Sequence, residues 1–347
     1  LSDPGHNDRR TGLVNEGYFG IGVLKGEEYR FTVWAKAPKG SGRITVQLID
    51  PATMGERQEF ASVKLEVKSA KWQKYEVRLK SPLKHNKAQL RIYLDGRNTV
   101  CLEHISLFPV NTFKNRENGM RRDLAQALAD AHPGVFRFPG GCIVEGTDLA
   151  TRYQWKNSIG PVENRPLNGN RWQHTFTHRF YPDYYQSYGL GFYEYFLLSE
   201  DMGAEPLPVL NVGMSCQFQN RNNEKWHVPV DELQPYIDDC LDLIEFANGD
   251  TTTTWGRKRA EMGHPAPFNL KYIGIGNEDI ISTAFEERCL MICSAIKERY
   301  PDITVCGTVG PFHYPSSDYI EGWKFANDNR GVLDMVDEHY YESVGWF

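Results

Sequence analysis

Cysteine is scarce in this sequence of 347 residues, and no two of its seven cysteines form a C-x-x-C pair. Cys101, Cys142, Cys216, Cys240, Cys289, Cys293 and Cys306 are an odd number spread along the whole chain, which fits neither a zinc motif nor a disulfide framework. Cys289 and Cys293 stand one helical turn apart beside Ile292 and Ile296 and read as core residues. No metal and no cofactor are expected: H-E-x-x-H and a Walker loop are missing, and Gly274-Ile-Gly276 lacks the third glycine of a dinucleotide fingerprint. There is also no dense Lys/Arg block, and a formal net charge of -6 with a pI near 6.0 argues against nucleic acid as a partner. Apolar runs of membrane-spanning length are lacking, so no membrane association is expected. The opening Leu1-Ser-Asp-Pro-Gly-His carries no signal-peptide pattern and no initiator Met, from which the natural N-terminus is expected upstream.

What is present is ordinary for a folded chain long enough for two domains: 40% hydrophobic and 24% charged residues. Aromatics reach 13%, which suits stacking on sugar rings but suits a packed core as well, and the core reading takes most of them. Beyond an N-terminal segment of residues 1–16, residues 17–109 show short alternating segments punctuated by Gly, Pro, Asn and Asp. Tyr29/Phe31/Val33, Ile44/Val46/Leu48, Val63/Leu65/Val67, Tyr75/Val77/Leu79 and Leu90/Ile92/Leu94 each recur at period two, which predicts an antiparallel β-sandwich of jelly-roll type. Such modules often bind carbohydrate. Trp34, Trp72 or Tyr93 could form a platform for it, although packing is the favoured role for all three.

From residue 110 to 347 the rhythm becomes helix, strand, helix, strand. A helix over 121–131 carries Leu124 and Leu128 on one face and is followed by a strand over 135–138. A helix over 191–202 leads into a strand at 206–212. Another, N-capped by Asp231 and bearing Leu233, Ile237, Leu241 and Ile244, stops at Gly249. The Tyr272 strand comes next, then a helix marked by Phe285, Cys289, Ile292 and Ile296, a strand over 303–309, a helix around 319–327 and a last strand over 332–339. This alternation predicts an α/β fold with a parallel sheet, and a (β/α)8 TIM barrel is its expected closure. Only about five barrel strands can be counted. An unclosed sheet leaves edges exposed, so a fragment cut at both ends is expected.

Two stretches carry chemistry. In Lys271-Tyr-Ile-Gly-Ile-Gly-Asn-Glu278 a buried strand ends in Asn277-Glu278, at the end that forms the catalytic face of a barrel. Asn followed by Glu there is used by many retaining glycosidases, and a strand ending in a polar turn is the plain alternative. The second stretch is Phe136-Arg-Phe-Pro-Gly-Gly-Cys-Ile-Val-Glu-Gly146, where Pro139-Gly140-Gly141 forces a sharp turn at another strand end. About forty loop residues follow, rich in Trp155, Trp172, His174, His178, Tyr181, Tyr184, Tyr185 and Tyr188, and loops of that length in compact domains are usually functional or disordered.

With these stretches in place, the chain resembles the family 51 glycoside hydrolases, the α-L-arabinofuranosidases. The resemblance rests on Arg137-Phe-Pro-Gly-Gly-Cys-Ile-Val-Glu145, Gly189-Leu-Gly-Phe-Tyr-Glu194, Glu200-Asp-Met-Gly203, Thr254-Trp255-Gly256, Met262-Gly-His-Pro265, Ile275-Gly-Asn-Glu278 and Asp337-Glu-His-Tyr-Tyr341, in the family's order. It implies retaining exo-hydrolysis of terminal α-L-arabinofuranosyl residues in arabinose-containing polysaccharides or oligosaccharides. Glu278, after barrel strand four, is the general acid/base by this resemblance. Asn277 binds the sugar 2-hydroxyl, and Cys142 lines the same subsite. His339 and Tyr341 face the site from strand six, Tyr341 positioning the nucleophile or the ring. Counting the five strands as two to six puts the nucleophile, which follows strand seven, beyond Phe347. The isolated chain is therefore expected to be inactive. An ionised nucleophile would keep Glu278 protonated, and without it that tuning disappears. Arg137 is either a holder of the carboxylates or a structural ion pair, and Glu145 has no argued role.

Competing readings are another retaining glycosidase of the same clan, such as an endoglucanase, and a non-catalytic carbohydrate-binding fragment. Polymer degradation implies an extracellular or periplasmic location; the sequence leaves oligomeric state, linkage and polymer preference open.

Overall fold

The computed structural model describes residues 1, 11–53, 58–172, 185–216, 218 and 226–347. Its contacts divide the chain into two units, Leu1–Asp130 and Ala131–Phe347. Among the described residues no helix is long and apolar enough to cross a membrane.

The first unit contains β1 (Gly12–Asn15), β2 (Ile21–Val23), β3 (Glu28–Lys36), β4 (Gly42–Ile49), β5 (Glu59–Val67), β6 (Gln73–Lys80), β7 (His85–Leu94) and β8 (Cys101–Pro109), followed by helix α1 (Arg122–Asp130). The strands form two antiparallel sheets. One runs β1-β7-β4-β5, with β2 also on β7, and the other runs β6-β3-β8. Period-two alternation is what makes them a sandwich: Tyr29, Phe31 and Val33 of β3 are buried together with Ile44, Val46 and Leu48 of β4 and Leu90, Ile92 and Leu94 of β7. Trp34 and Tyr93 lie on β3 and β7, in different sheets, so with Trp72 they do not make one platform. Trp72 is half-exposed beneath Lys36 Nζ, 4.7 Å from its ring centre. In α1, Leu124 and Leu128 share a face as expected, but that face is exposed and Ala125 is the buried residue.

The second unit holds β9 (Val135–Phe138), the two-residue strands β10 (Asn168–Gly169) and β11 (Tyr185–Gln186), α2 (Phe192–Met202), β12 (Glu205–Leu210), α3 (Gln234–Asn248), α4 (Thr254–Glu261), β13 (Tyr272–Ile275), α5 (Thr283–Arg299), β14 (Thr304–Thr308), α6 (Ser317–Asp328) and β15 (Met335–Asp337). Five strands form a parallel sheet in the order β15-β14-β13-β12-β9, a half-barrel in which each crossover between successive strands carries a helix. Local chemistry sets the helix ends. Glu194 accepts from the Gly191 N–H at 2.8 Å at the start of α2, which stops at Gly203 with φ 73°. Ser282 and Ser316 cap α5 and α6 by accepting from Phe285 N and Tyr319 N.

Two local expectations are corrected. Asp231 does not cap α3: it sits in a 3-10 turn, Val230–Glu232, and α3 begins at Gln234. Pro235 explains this, since proline fits the first helical turn, where its missing N–H has no partner to lose. Helix α4 was not foreseen, because TWGRKRAE has no apolar period; Thr253 caps it by accepting from Gly256 N at 3.1 Å. Its Arg259 is fully buried and donates to the carbonyls of Phe246, Ala247, Gly249, His264 and Pro265, tying α4 to the end of α3. The aromatic loop resolves into packing and surface. Trp155 and Tyr188 are buried, Trp155 Nε1 donating to Asp239 O at 2.9 Å, whereas Trp172 and Tyr185 are exposed. His174, His178, Tyr181 and Tyr184 lie outside the described residues.

Candidate active site

The sheet's C-terminal rim is where the polar residues gather. After β13, Gly276 adopts φ 83° and Glu278 φ 52°. A Cβ on Gly276 would overlap Asp279 Oδ2, the atom that accepts the Asn277 N–H at 2.8 Å, so the turn demands glycine there. Glu278 is held in a left-handed conformation uncommon for a non-glycine residue, a kind of strain found at functional sites. Its carboxylate is nearly buried and receives donors from two other strand ends. From beyond β15, His339 Nδ1 lies 2.5 Å from Oε1, and the Tyr341 hydroxyl donates to the same oxygen at 2.7 Å. From the turn after β9, the Cys142 thiol donates to Oε2 at 3.7 Å. That turn uses positive φ at Gly140 and Gly141 to bring the Cys142 side chain onto the rim.

A layer of fixed partners lies against these groups. Arg137, on β9, donates from Nη2 to Asn277 Oδ1 at 2.8 Å and from Nε to Asp337 Oδ2 at 2.9 Å. Asn277 Nδ2 donates to Glu145 Oε2 at 2.9 Å, and both side chains are buried. His339 Nε2 lies 3.2 Å from Asp337 Oδ2. β9 and β15 are the two outer strands of the sheet, so the Arg137–Asp337 pair shows how strongly the sheet curls.

The structure thus brings Glu278, Asn277, Cys142, His339 and Tyr341 into one contact network. It also gives partners to Glu145 and Arg137, whose sequence readings were empty or open, and adds Asp337, which was only part of a motif. Glu338 and Glu342 turn elsewhere: Glu338 accepts from Tyr319 and Trp323, and Glu342 contacts His313 at 2.8 Å.

Electrostatics in the network follow from the donors. Both ring nitrogens of His339 face carboxylate oxygens, which only accept, so the ring must be doubly protonated. Its hydrogen bonds to Asp337 and Glu278 push its pKa up to about 9. Burial raises the pKa of Glu278, but the bonds from His339 and Tyr341 outweigh it and hold the group below the usual carboxylate value. Glu278 is ionised here, unlike the protonated acid expected beside an ionised nucleophile, because what surrounds it is a cation and hydroxyl and thiol donors. Tyr341, expected to position the nucleophile or the ring, donates its hydroxyl to Glu278, which lifts its own pKa to about 12. Burial above all, with Asp279 adding repulsion, pushes the Glu145 carboxyl well up. Asp337 is held low, its burial outweighed by His339 and Arg137.

Cys216, six residues past the end of β12, completes the rim. Arg171 donates to its sulfur from Nε at 3.4 Å and Nη2 at 3.3 Å. The single Cys142 thiol proton has Cys216 Sγ as its alternative acceptor, and this neighbour together with Arg171 makes Cys216 the more acidic of the two thiols. The Sγ atoms of Cys142 and Cys216 and a carboxylate oxygen of Glu145 all lie within 4.8 Å of one another.

Residues 127–347 match the model of the α-L-arabinofuranosidase 1 domain, and residues 5–99 match a carbohydrate-binding domain. The chain belongs to glycoside hydrolase family 51. Within this family it is 39% identical to an extracellular exo-α-L-arabinofuranosidase of Streptomyces chartreusis, over 97% of this chain and 39% of that protein. It is 35% identical to α-L-arabinofuranosidase 1 of Arabidopsis thaliana, over 89% of the chain and 43% of that protein. A probable α-L-arabinofuranosidase A of Aspergillus oryzae shows 36% identity over 95% of the chain and 51% of its own length. The chain therefore spans about half or less of the length of these relatives. A solved family 51 structure, an α-L-arabinofuranosidase with arabinose bound, superimposes with a TM-score of 0.79 at 27% identity, covering 98% of this chain and 55% of that one. The half-barrel sheet and the antiparallel module before it are thus the family 51 architecture.

Proposed function

We propose that this family 51 chain supplies the acid/base half of a retaining α-L-arabinofuranosidase, acting on terminal arabinofuranosyl residues of plant polysaccharides or oligosaccharides. The observation that carries the reading is the setting of Glu278: a strained, nearly buried carboxylate at a strand end, gripped by His339, Tyr341 and Cys142, with Asn277 beside it. In this reading Glu278 gives its proton to the glycosidic oxygen as the bond to the anomeric carbon breaks. A carboxylate nucleophile attacks that carbon, and Glu278 then deprotonates the water that releases the sugar. The nucleophile is assigned to none of this chain's residues; the part of the relatives' length that the chain does not span is its proposed source. A second carboxylate about 5–5.5 Å from Glu278 would raise its pKa by repulsion, and the His339 imidazolium is a proton source already in contact with it.

Asn277 is proposed to hold the hydroxyl next to the reacting carbon, its carboxamide oriented by Arg137 on the oxygen side and Glu145 on the nitrogen side. Cys142 is proposed to line the same subsite. The residue 5–99 module is proposed to bind glycan, and secretion is proposed from the extracellular relative. The decisive experiment gives the full-length protein a 4-nitrophenyl α-L-arabinofuranoside and, separately, a soluble β-glucan. Release of nitrophenol with no glucan cleavage is expected. Cleavage of the glucan alone would make the protein an endoglucanase, and turnover of neither would reduce it to a binding protein.

A further inference from the structure

Cys142, Glu145 and Cys216 are buried side chains from two strand ends, the first two following β9 and the third following β12. Cys216 has no part in the proposed hydrolysis. We propose that the three form a binding site for one borderline-soft divalent cation of the zinc class, and that filling it disarms the adjoining acid/base centre.

The donor set favours such an ion. Two thiolates and a carboxylate select zinc over magnesium or calcium, which take all-oxygen ligands, and three protein ligands leave a fourth position for water. Geometry is close to what is needed. With all three donor atoms within 4.8 Å of one another, a cation at their centre lies no more than about 2.8 Å from each, so shifts of at most about 0.5 Å at sulfur and about 0.8 Å at oxygen give bonds of about 2.3 Å to sulfur and 2.0–2.2 Å to oxygen. Charge also closes. Zinc binding displaces the thiol protons and the proton that burial favours on Glu145, and the three negative ligands then balance the dication together with the Arg171 guanidinium, which already donates to Cys216 Sγ. Arg171 is placed as an outer partner that orients a ligand, a role common in metal sites.

Filling the site has a cost for the neighbours. Cys142 gives its thiol proton to the Glu278 contact at 3.7 Å, and Glu145 accepts from Asn277 at 2.9 Å. A cation ligated by both removes the donor from Glu278 and competes for the carboxylate that orients Asn277. The inhibition rests on the proposed glycosidase function, whereas the binding does not.

The test uses the reduced protein with Zn2+, and with Co2+ as a spectroscopic probe. One Zn2+ per chain, two sulfur scatterers at about 2.3 Å in X-ray absorption of the wild type, and thiolate-to-cobalt charge-transfer bands are expected. Cys216→Ser and Glu145→Gln should each weaken binding at least about 100-fold, the upper range for losing even an outer-shell partner. Cys289→Ser, at the buried pair 3.7 Å from Cys293, should leave binding unchanged. No binding by the wild type, no sulfur in its coordination shell, undiminished binding by Cys216→Ser or loss of binding in Cys289→Ser would each overturn the site. In the full-length enzyme, Zn2+ should inhibit the wild type and spare Cys216→Ser. Equal inhibition of both would overturn the coupling, while an enzyme without arabinofuranosidase activity would sink the functional reading and leave the metal measurements to stand or fall alone.

Discussion

Replacing His339 with Asn removes the one cation that lies between Glu278 and Asp337, and the size of its contribution can be worked from the structure. Hydrogen bonds to Asp337 and Glu278 raise His339 from 6.5 to about 9. A group whose folded pKa is raised stabilises the fold fully below its unfolded value, here about 6.5, and loses that contribution as pH climbs through about 9. At about 1.4 kcal/mol per pKa unit the shift corresponds to about 3 kcal/mol, and solvent screening of a side chain that is 17% exposed reduces it to about 1–2 kcal/mol. Glu278 works in the opposite sense. Its folded pKa is lowered from 4.5, so its contribution is present above about 4.5 and lost as pH falls through the lower folded value. The ion pair is thus at full strength between about pH 4.5 and 6.5 and fades toward pH 9. Urea unfolding of wild type and His339→Asn, followed by tryptophan fluorescence from pH 6 to 9.5, reads this as a difference between two curves, in which the tyrosine titrations common to both cancel. The gap should be about 1–2 kcal/mol at pH 6 and shrink by pH 9.5. Parallel curves, or an NMR titration placing the His339 ring near 6.5, would refute the ion-pair assignment.

Three further outcomes are expected. Glu278→Ala in the full-length enzyme should slow substrates with poor leaving groups by about 10²–10⁴-fold, the usual share of general acid–base catalysis, and activated aryl arabinofuranosides far less, with azide restoring part of the latter. Equal losses without rescue would contradict the assignment. Asn277→Ala should lower kcat/KM by about 10²–10³-fold, as for losing one preorganised donor, while a 2-deoxy substrate stays nearly indifferent; a penalty common to both substrates would make Asn277 a buried strut between Glu145 and Arg137. Phe138→Ala should destabilise the chain by about 3–5 kcal/mol in urea unfolding, because this buried ring packs 5.0–5.3 Å from Phe192, Tyr195 and Phe196, and a loss below about 1 kcal/mol would mean that the pocket refills.

Much of the fold was legible because burial leaves a period. Phe31, Ile44 and Ile92 repeat at every second residue with their neighbours, and each lies in the sandwich core. Ile292 and Ile296, with Cys289 and Cys293, repeat at helical spacing and are fully buried in the other unit. Where burial is decided by something other than an apolar stripe, the period fails. Helix α4 buries a guanidinium, Arg259, whose fixed fork of donors satisfies five carbonyls at once, and no hydrophobic pattern announces such a residue. In α1 the opposite happens, since the apolar stripe of Leu124 and Leu128 is real but stays exposed.

The candidate site was legible as residues but not as contacts. Arg137 and Asp337 stand 200 positions apart and His339 and Glu278 stand 61 apart, separations that carry no information until the sheet curls. One physical rule shortens that distance: residues just past the ends of parallel strands share a rim, whatever their spacing in the chain. Cys142, Glu278, His339 and Tyr341 all lie within four residues of such an end, so their meeting follows from the strand assignment alone. Cys216 lies six past β12, and its meaning depends on Arg171, which reaches it from the long loop before α2. A strand pattern cannot foresee a partner that arrives from a loop. For that reason the thiol that remained an unremarkable odd cysteine in the sequence becomes, with Cys142 and Glu145 beside it, the residue on which the metal hypothesis turns.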